Sequence, residues 1–415
     1  MDSKTVSLVV MKAAVVLFFL HKLLPIVGAN MPMPVYLAIF LLVMLTVMYT
    51  MLTSKYSGVA IAALLIFMPS VFQTVYIASV QGLTTATKYL YGEAQTYLYI
   101  VIAAMYICVC EMKNCRKLIL LILLSYFITG ATSAIACTLV PNIVRILTAN
   151  TSEAIYAQYR KLNVGEFSFA YEFILLMPLL ICAIKYRRIN RLLGIGLLIF
   201  MGVVVLQMQF TLGVILYVVM LFVLLLPKLS TRKVTLIFII VLAVFIFGGE
   251  YIAAAFDHIA GIAKNSELAR PFASRFEYIA EVFRGGEIST ELENTAGTRY
   301  DRYLASLQAF LDNPLWGHWG NGANGGHSYI LDSAAMYGLL GVFSIAIMYY
   351  MIYKLFLKPF CMSQCYPYMM IGYVLSIVMA TINTKTFLII LACIYPLFAH
   401  VYSWSEAWRY RKFLH

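Results

Sequence analysis

Long apolar stretches alternate with short polar ones along this chain, and the apolar stretches have the length of a bilayer crossing. A span needs roughly 18 or more consecutive apolar residues. Such runs fall at about 6–27, 32–53, 57–79, 92–110, 118–140, 168–185, 192–208, 212–227, 234–256, 327–357, 367–383 and 386–404. The pattern predicts an all-α, polytopic integral membrane helical bundle with about twelve transmembrane helices, both as fold class and as one membrane domain over residues 1–415. A transmembrane β-barrel would need alternating segments of roughly 10 residues, and the runs here do not alternate. The seventh and eighth are short and meet at "QMQFT", which suits tilted or partly re-entrant helices. Lys12, His21 and Lys22 interrupt the first run, and no small-residue cleavage site follows it. It is therefore expected to be the first span rather than a removable signal peptide, with its lysines snorkelling toward the interfaces.

Composition sharpens this picture. The 415 residues are 63% hydrophobic and only 12% charged, against about 25% charged for a soluble domain. So few charges cannot cover a water-facing surface. The charges are also segregated. "EMKNCRK" (111–117), "KYRRINR" (185–191), "PKLSTRK" (227–233), "RYRKFLH" (409–415) and Lys4, Lys55, Lys354 and Lys358 put 17 basic residues on one side, with only Asp2, Glu111 and Glu406 against them. Everything else holds 13 basic and 15 acidic residues. Basic connections stay in the cytoplasm, so both termini are expected there, and the other face is extracytoplasmic. The basic excess is a topology signal that also suits anionic lipid headgroups. It calls for no nucleic-acid partner.

Two wide polar segments then lie outside, at 141–167 and 257–326. Within the second, "GTRYDRYLASLQAFLDNPLWG" reads as an amphipathic helix stopped by Pro314, with Tyr300, Leu304, Leu307 and Leu311 sharing one face. The eight cysteines lie in expected spans or on the basic side, so no disulfide framework is expected. Cys361 and Cys365 have a loose metal-like spacing, but no second pair or histidine completes it, and no metal is expected.

Candidate chemistry converges on the outer face. Arg160 and Glu166 precede the sixth span, Arg299 and Arg302 sit in the long loop, and His318 and His327 bracket a glycine cluster. Arginine offers paired donors to phosphate, histidine takes a proton near neutral pH, and glycine lets backbone approach closely. Such a set suits a lipid-linked diphosphate and an attacking hydroxyl. Asp332, early in the tenth span, is expected to line a cavity or pair with an arginine.

The string "AGTRYDRYLASLQAFLDNPLWG…HSYILDSAAMYGLLG" resembles the signature region of the O-antigen ligase/polymerase superfamily. Arg299 with Tyr303, then Asn313-Pro314-Leu315-Trp316-Gly317, then His327-Ser328 followed by Gly338 and Gly341, match its parts and their spacing. "RKLNVGEFSFAYEFILLMPLLI" (160–181) is a weaker match to the segment where the family carries an arginine and a Gly-x-Phe before a span. The resemblance implies a membrane glycosyltransferase of the GT-C-like, lipid-donor kind in the bacterial cytoplasmic membrane. Its donor would be a glycan on undecaprenyl diphosphate and its acceptor a glycan hydroxyl. It would use no cofactor or metal, and leaves room for a chain-length regulator as partner. By that resemblance His327 would activate or hold the acceptor hydroxyl. Arg160, Arg299, Arg302 and His318 would contact diphosphate or glycan, and Gly338 and Gly341 would serve close helix packing.

One departure stands out. Relatives often carry Ser-Arg-Gly near the start of the span at 210–227, where this chain has Thr211, Leu212 and Gly213. The substitutes considered, in order, are Arg302, Arg284 and Gln209. The missing arginine favours a polymerase of O-antigen, capsule or exopolysaccharide over a ligase that moves finished glycan to lipid A core or protein. A flippase of lipid-linked sugars is the alternative from another class. Against it, the chain has no inverted repeat or paired broken helices.

Overall fold

The computed structural model describes residues 12–13, 15–21, 23–53, 57–87, 89–90, 112–140, 143–144, 160–165, 167–209, 211–266, 269–284, 298–319, 325–326, 328–382 and 389–402. Among them helix is the dominant structure, and none lies in a strand. After helical residues 15–21 come α1 (Pro25–Asn30), α2 (Met33–Thr53), α3 (Ser57–Gln81), α4 (Met112–Leu139), α5 (Phe167–Lys185) and α6 (Arg191–Gln207). Then follow α7 (Thr211–Leu225), α8 (Thr231–Phe247), α9 (Gly249–Lys264), α10 (Arg270–Arg284), α11 (Thr298–Asp312), α12 (Tyr329–Ile352), α13 (Tyr366–Ile382) and α14 (Tyr395–Tyr402).

Among the described residues two helical stretches, Asn114–Leu139 and Tyr329–Phe360, are long and apolar enough to cross a membrane. Shorter apolar helices include Arg191–Gln207, Thr211–Leu225 and Tyr366–Thr381. Leu192, Ile199, Phe222, Leu225, Leu236 and Phe247 all point outward. An apolar exterior of this extent suits lipid rather than water. The expected span at 92–110 lies outside the described residues.

Three expected spans are interrupted. The helix through residue 21 stops at Leu24, where Pro25 starts α1 with no amide hydrogen to continue the ladder. The 234–256 run divides at Gly248 into α8 and α9. The 327–357 run breaks inside α12 at Gly338, whose backbone (φ 59°, ψ −142°) is not helical. Only glycine adopts such values without strain.

The chain divides into two compact units. The first holds residues 1–208, 343–376 and 385–415, and the second 209–342 and 377–384. In the first, α4, α5 and α6 pack side by side around Tyr126, Phe169, Phe173 and Phe200. Phe169 and Phe173 meet edge to face, 4.8 Å between centroids, a favoured arrangement for aromatic rings. Gly130 makes this possible, because a Cβ there would come within 2.8 Å of the Phe173 ring.

In the second unit α9 and α10 form an antiparallel hairpin that begins in the expected 234–256 span and runs on into the segment expected as loop. Phe272 and Phe276, one turn apart on α10, are buried with Ala260 and Ala263 of α9, and Val214 and Ile215 of α7 pack against them. Each phenylalanine contributes about 1.5–3 kcal/mol by leaving water. Two ion pairs, Lys264–Glu277 and Arg284–Asp257, tie the rim of the hairpin.

Candidate functional site

The second unit carries the motif residues at Asn313 and beyond, and the geometry explains their spacing. α11 ends at Asp312, and Asn313 Nδ2 donates to the Gly317 carbonyl at 2.8 Å, folding residues 313–317 into a tight turn. That turn lies flat on the break in α12. His318 N donates to Ala335 O (3.0 Å), Trp319 N to Met336 O (3.0 Å), and Leu339 N to Pro314 O (2.8 Å). The helix break at Gly338 frees the carbonyls and the amide for these bonds. A Cβ on Gly317 would fall 2.4 Å from the Met336 carbonyl, and one on Gly338 would fall 2.6 Å from the carbonyls of Pro314 and Leu315. Both glycines sit at positive φ, 70° and 59°. A Cβ on Gly341 would fall 2.2 Å from Ser333 O, because the break turns Gly341 back against the first half of α12.

A second set of bonds ties α11 to the start of α12. Ser306, 1% exposed, accepts from Gly325 N (2.8 Å) and donates to Asp332 Oδ1 (2.7 Å). Asp332 Oδ2 accepts from Ser328 N (3.0 Å), and Ser328 Oγ accepts from Leu331 N (3.1 Å), capping the helix. A Cβ on Gly325 would fall 2.2 Å from Arg302 O, so that glycine lies against the α11 backbone. Ser306 thus links both flanks of position 327 to one helix. His327 itself, and Glu166, lie outside the described residues.

His318 is half-buried, and its Nε2 is fully covered with no hydrogen-bond partner among the described residues. A buried polar nitrogen of this kind calls for a group to fill it. Arg302 faces outward on α11. Arg299 lies in the first turn of the same helix, and its side chain is outside the described residues. Arg284 is engaged by Asp257.

The start of α7 is met by an arginine from another helix. Arg275 of α10 donates from Nη1 to the Gln209 carbonyl and to Thr211 Oγ1, both at 3.0 Å. Gln209 has φ 52°, a left-handed value that turns its carbonyl toward the guanidinium. A guanidinium therefore sits at the N-terminus of α7, itself the positive end of a helix dipole. Sequence reasoning passed over Arg275, which is 64 residues from Thr211.

Arg160 belongs to the first unit and is built by a different network. Asn163, 3% exposed and at φ 59°, donates to Thr129 Oγ1 (3.1 Å) and accepts from Ile26 N (3.2 Å). Thr132 donates to Asn163 O (2.6 Å), and Gly165 N donates to Ser133 Oγ (2.8 Å). These bonds fix residues 160–165 to α4 and to the first turn of α1. The Arg160 guanidinium then lies against Gly28, which His21 also approaches, and the His21 ring stacks on Tyr36 at 3.9 Å. Glu172 of α5 is a further buried carboxylate, 9% exposed, which accepts from Tyr126 at 2.7 Å. Charged groups inside apolar bundles mark function by default, and "AYEF" at 170–173 was the available signal for it.

Among the described residues no three His, Cys, Asp or Glu side chains converge as metal ligands. No protein-family model matches the chain, and neither does any curated protein sequence.

Proposed function

We propose that this protein is a multi-pass membrane glycosyltransferase of the bacterial cytoplasmic membrane, with about twelve spans and both termini in the cytoplasm. It joins undecaprenyl-diphosphate-linked oligosaccharide units into O-antigen, capsular or exopolysaccharide on the outer face. The acceptor hydroxyl oxygen attacks the anomeric carbon of the donor glycan, and the bond from that carbon to the diphosphate breaks. The bonding electron pair leaves on the diphosphate oxygen, and the hydroxyl proton passes to His327. Negative charge grows on the leaving diphosphate, so fixed guanidinium groups stabilise the transition state more than the ground state. Arg275, Arg299 and Arg302 are the second unit's candidates for that role, and His318 Nε2 for a contact to substrate.

The observation that carries this reading is the backbone lock between the Pro314–Trp319 turn and the Gly338 break. It gives a physical reason for the Asn-Pro…Gly…Gly-x-x-Gly spacing on which the family resemblance rests. A ligase performs the same bond exchange with lipid A core or protein as acceptor. Arg275 beside Thr211 keeps that second reading open, because it supplies the charge whose absence from the span argued for a polymerase.

The test is an assay of purified protein with a defined undecaprenyl-diphosphate repeat unit. Elongation of the donor alone is the expected result. Transfer only after lipid A core is added would replace polymerase by ligase. Consumption of donor by neither route would overturn the proposal.

A further inference from the structure

A second site is formed in the first unit, far along the chain from the 299–341 motif. Arg116 lies near the start of α4, and Arg187 and Arg188 form the turn after α5. That turn is tightly set. Arg187 N donates to Ile184 O (3.1 Å) and Arg188 N to Ala183 O (2.8 Å), with Arg187 at φ 54°. Glycine usually takes this place after a helix, and here an arginine holds it. All three arginines line one cavity of about 470 Å3, together with Leu120 and Leu123 of α4 and Tyr402 of α14. Among the described residues that line it, three carry a full positive charge and none a negative one.

The cavity's apolar wall does not end at its rim. Leu120 and Leu123 lead into Leu124, Phe127 and Ile128, all exposed along consecutive turns of α4. α4 contains a stretch, Asn114–Leu139, long and apolar enough to cross a membrane. The arginines therefore sit at the end of an exposed apolar stripe about as long as an acyl chain needs. A small soluble phosphate would use the guanidinium groups and gain nothing from the leucines. A phospholipid uses both.

We propose that Arg116, Arg187 and Arg188 bind the phosphate of an anionic phospholipid whose acyl chain lies along the Leu120–Ile128 stripe of α4. Guanidinium groups grip phosphate oxygens in pairs, and basic pockets between helices at the basic face of a membrane protein recognise anionic headgroups. The site is independent of the transfer reaction and stands or falls without it.

The experiment uses the full chain, delipidated in detergent. It is titrated with dioleoyl-phosphatidylglycerol, dioleoyl-phosphatidylcholine and inorganic phosphate, and retained adducts are counted by native mass spectrometry. One phosphatidylglycerol should be held in preference to phosphatidylcholine. The Arg187→Ala/Arg188→Ala variant should weaken it about thirtyfold, the attraction of two basic residues to an anionic headgroup. Arg187→Lys/Arg188→Lys keeps the charge, loses the paired donors, and should fall between. Lipid-free melting of each variant checks that it is folded. Arg232→Ala/Lys233→Ala, on another basic connection, should leave binding unchanged. Equal retention of the two lipids, an equal loss in that last variant, or displacement of phosphatidylglycerol by inorganic phosphate at matched concentration would overturn the proposal.

Discussion

The lock between the 313–319 turn and α12 makes a quantitative prediction at Gly317. A Cβ there would lie 2.4 Å from the Met336 carbonyl carbon and oxygen and 2.5 Å from Tyr337 N, all backbone atoms. No side-chain rotation relieves the clash, so the turn must lift from the helix. Lifting releases three bonds, from His318 N, Trp319 N and Leu339 N, each worth about 0.5–1.5 kcal/mol net. Alanine in the left-handed conformation costs roughly 1–2 kcal/mol more. Gly317→Ala should therefore destabilise this part of the protein by about 3–6 kcal/mol, a large share of the roughly 5–15 kcal/mol that holds a domain folded. Gly326→Ala is the internal control. It has the same backbone requirement (φ 71°) but open space around its Cβ, so only the conformational cost of about 1–2 kcal/mol applies. Thermal melting in detergent, with limited proteolysis across residues 313–329, separates the two. Equal melting and equal cleavage of the two variants would refute the steric argument.

Other perturbations follow from the same geometry. Ser306→Ala removes the acceptor of Gly325 N and the donor to Asp332. Donor turnover should fall at least about tenfold with a cost of about 1–3 kcal/mol in stability, read by rate and melting together. Arg275→Ala should cut turnover while Arg284→Ala, whose partner Asp257 is a surface carboxylate, should change stability by under about 1 kcal/mol and leave rate intact. Tyr126→Phe removes a buried hydrogen bond to Glu172 and should cost about 1–3 kcal/mol in a melting experiment.

What the sequence discloses depends on the range of each interaction. Helical class and the positions of α2–α7 are local properties, written in apolar runs. α11 is also legible, since Asp312-Asn313-Pro314 stops it where the pattern says. Which face it buries is not. Leu304, Leu307 and Leu311 share a face and remain exposed, Leu311 at 65%, while Ser306 and Ala309 go inside. Periodicity shows that an apolar face exists, and only tertiary structure decides what covers each side. α10 was hidden by its charges, although Phe272 and Phe276 repeat at helical spacing. The glycines at 317 and 338 are readable as tight places, yet their pairing needs the Gly338 break. Arg275 was out of reach because α7 and α10 meet only after α9 folds back.

The central claim is transfer of a lipid-linked glycan by a histidine-assisted reaction on the outer face. The most direct measurement is the rate of undecaprenyl-diphosphate release from a defined donor by wild type and His327→Ala in the same lipid. The account predicts steady release by the wild type without nucleotide sugar or added metal, and near-complete loss in His327→Ala with the melting temperature preserved. Undiminished release by His327→Ala would contradict it.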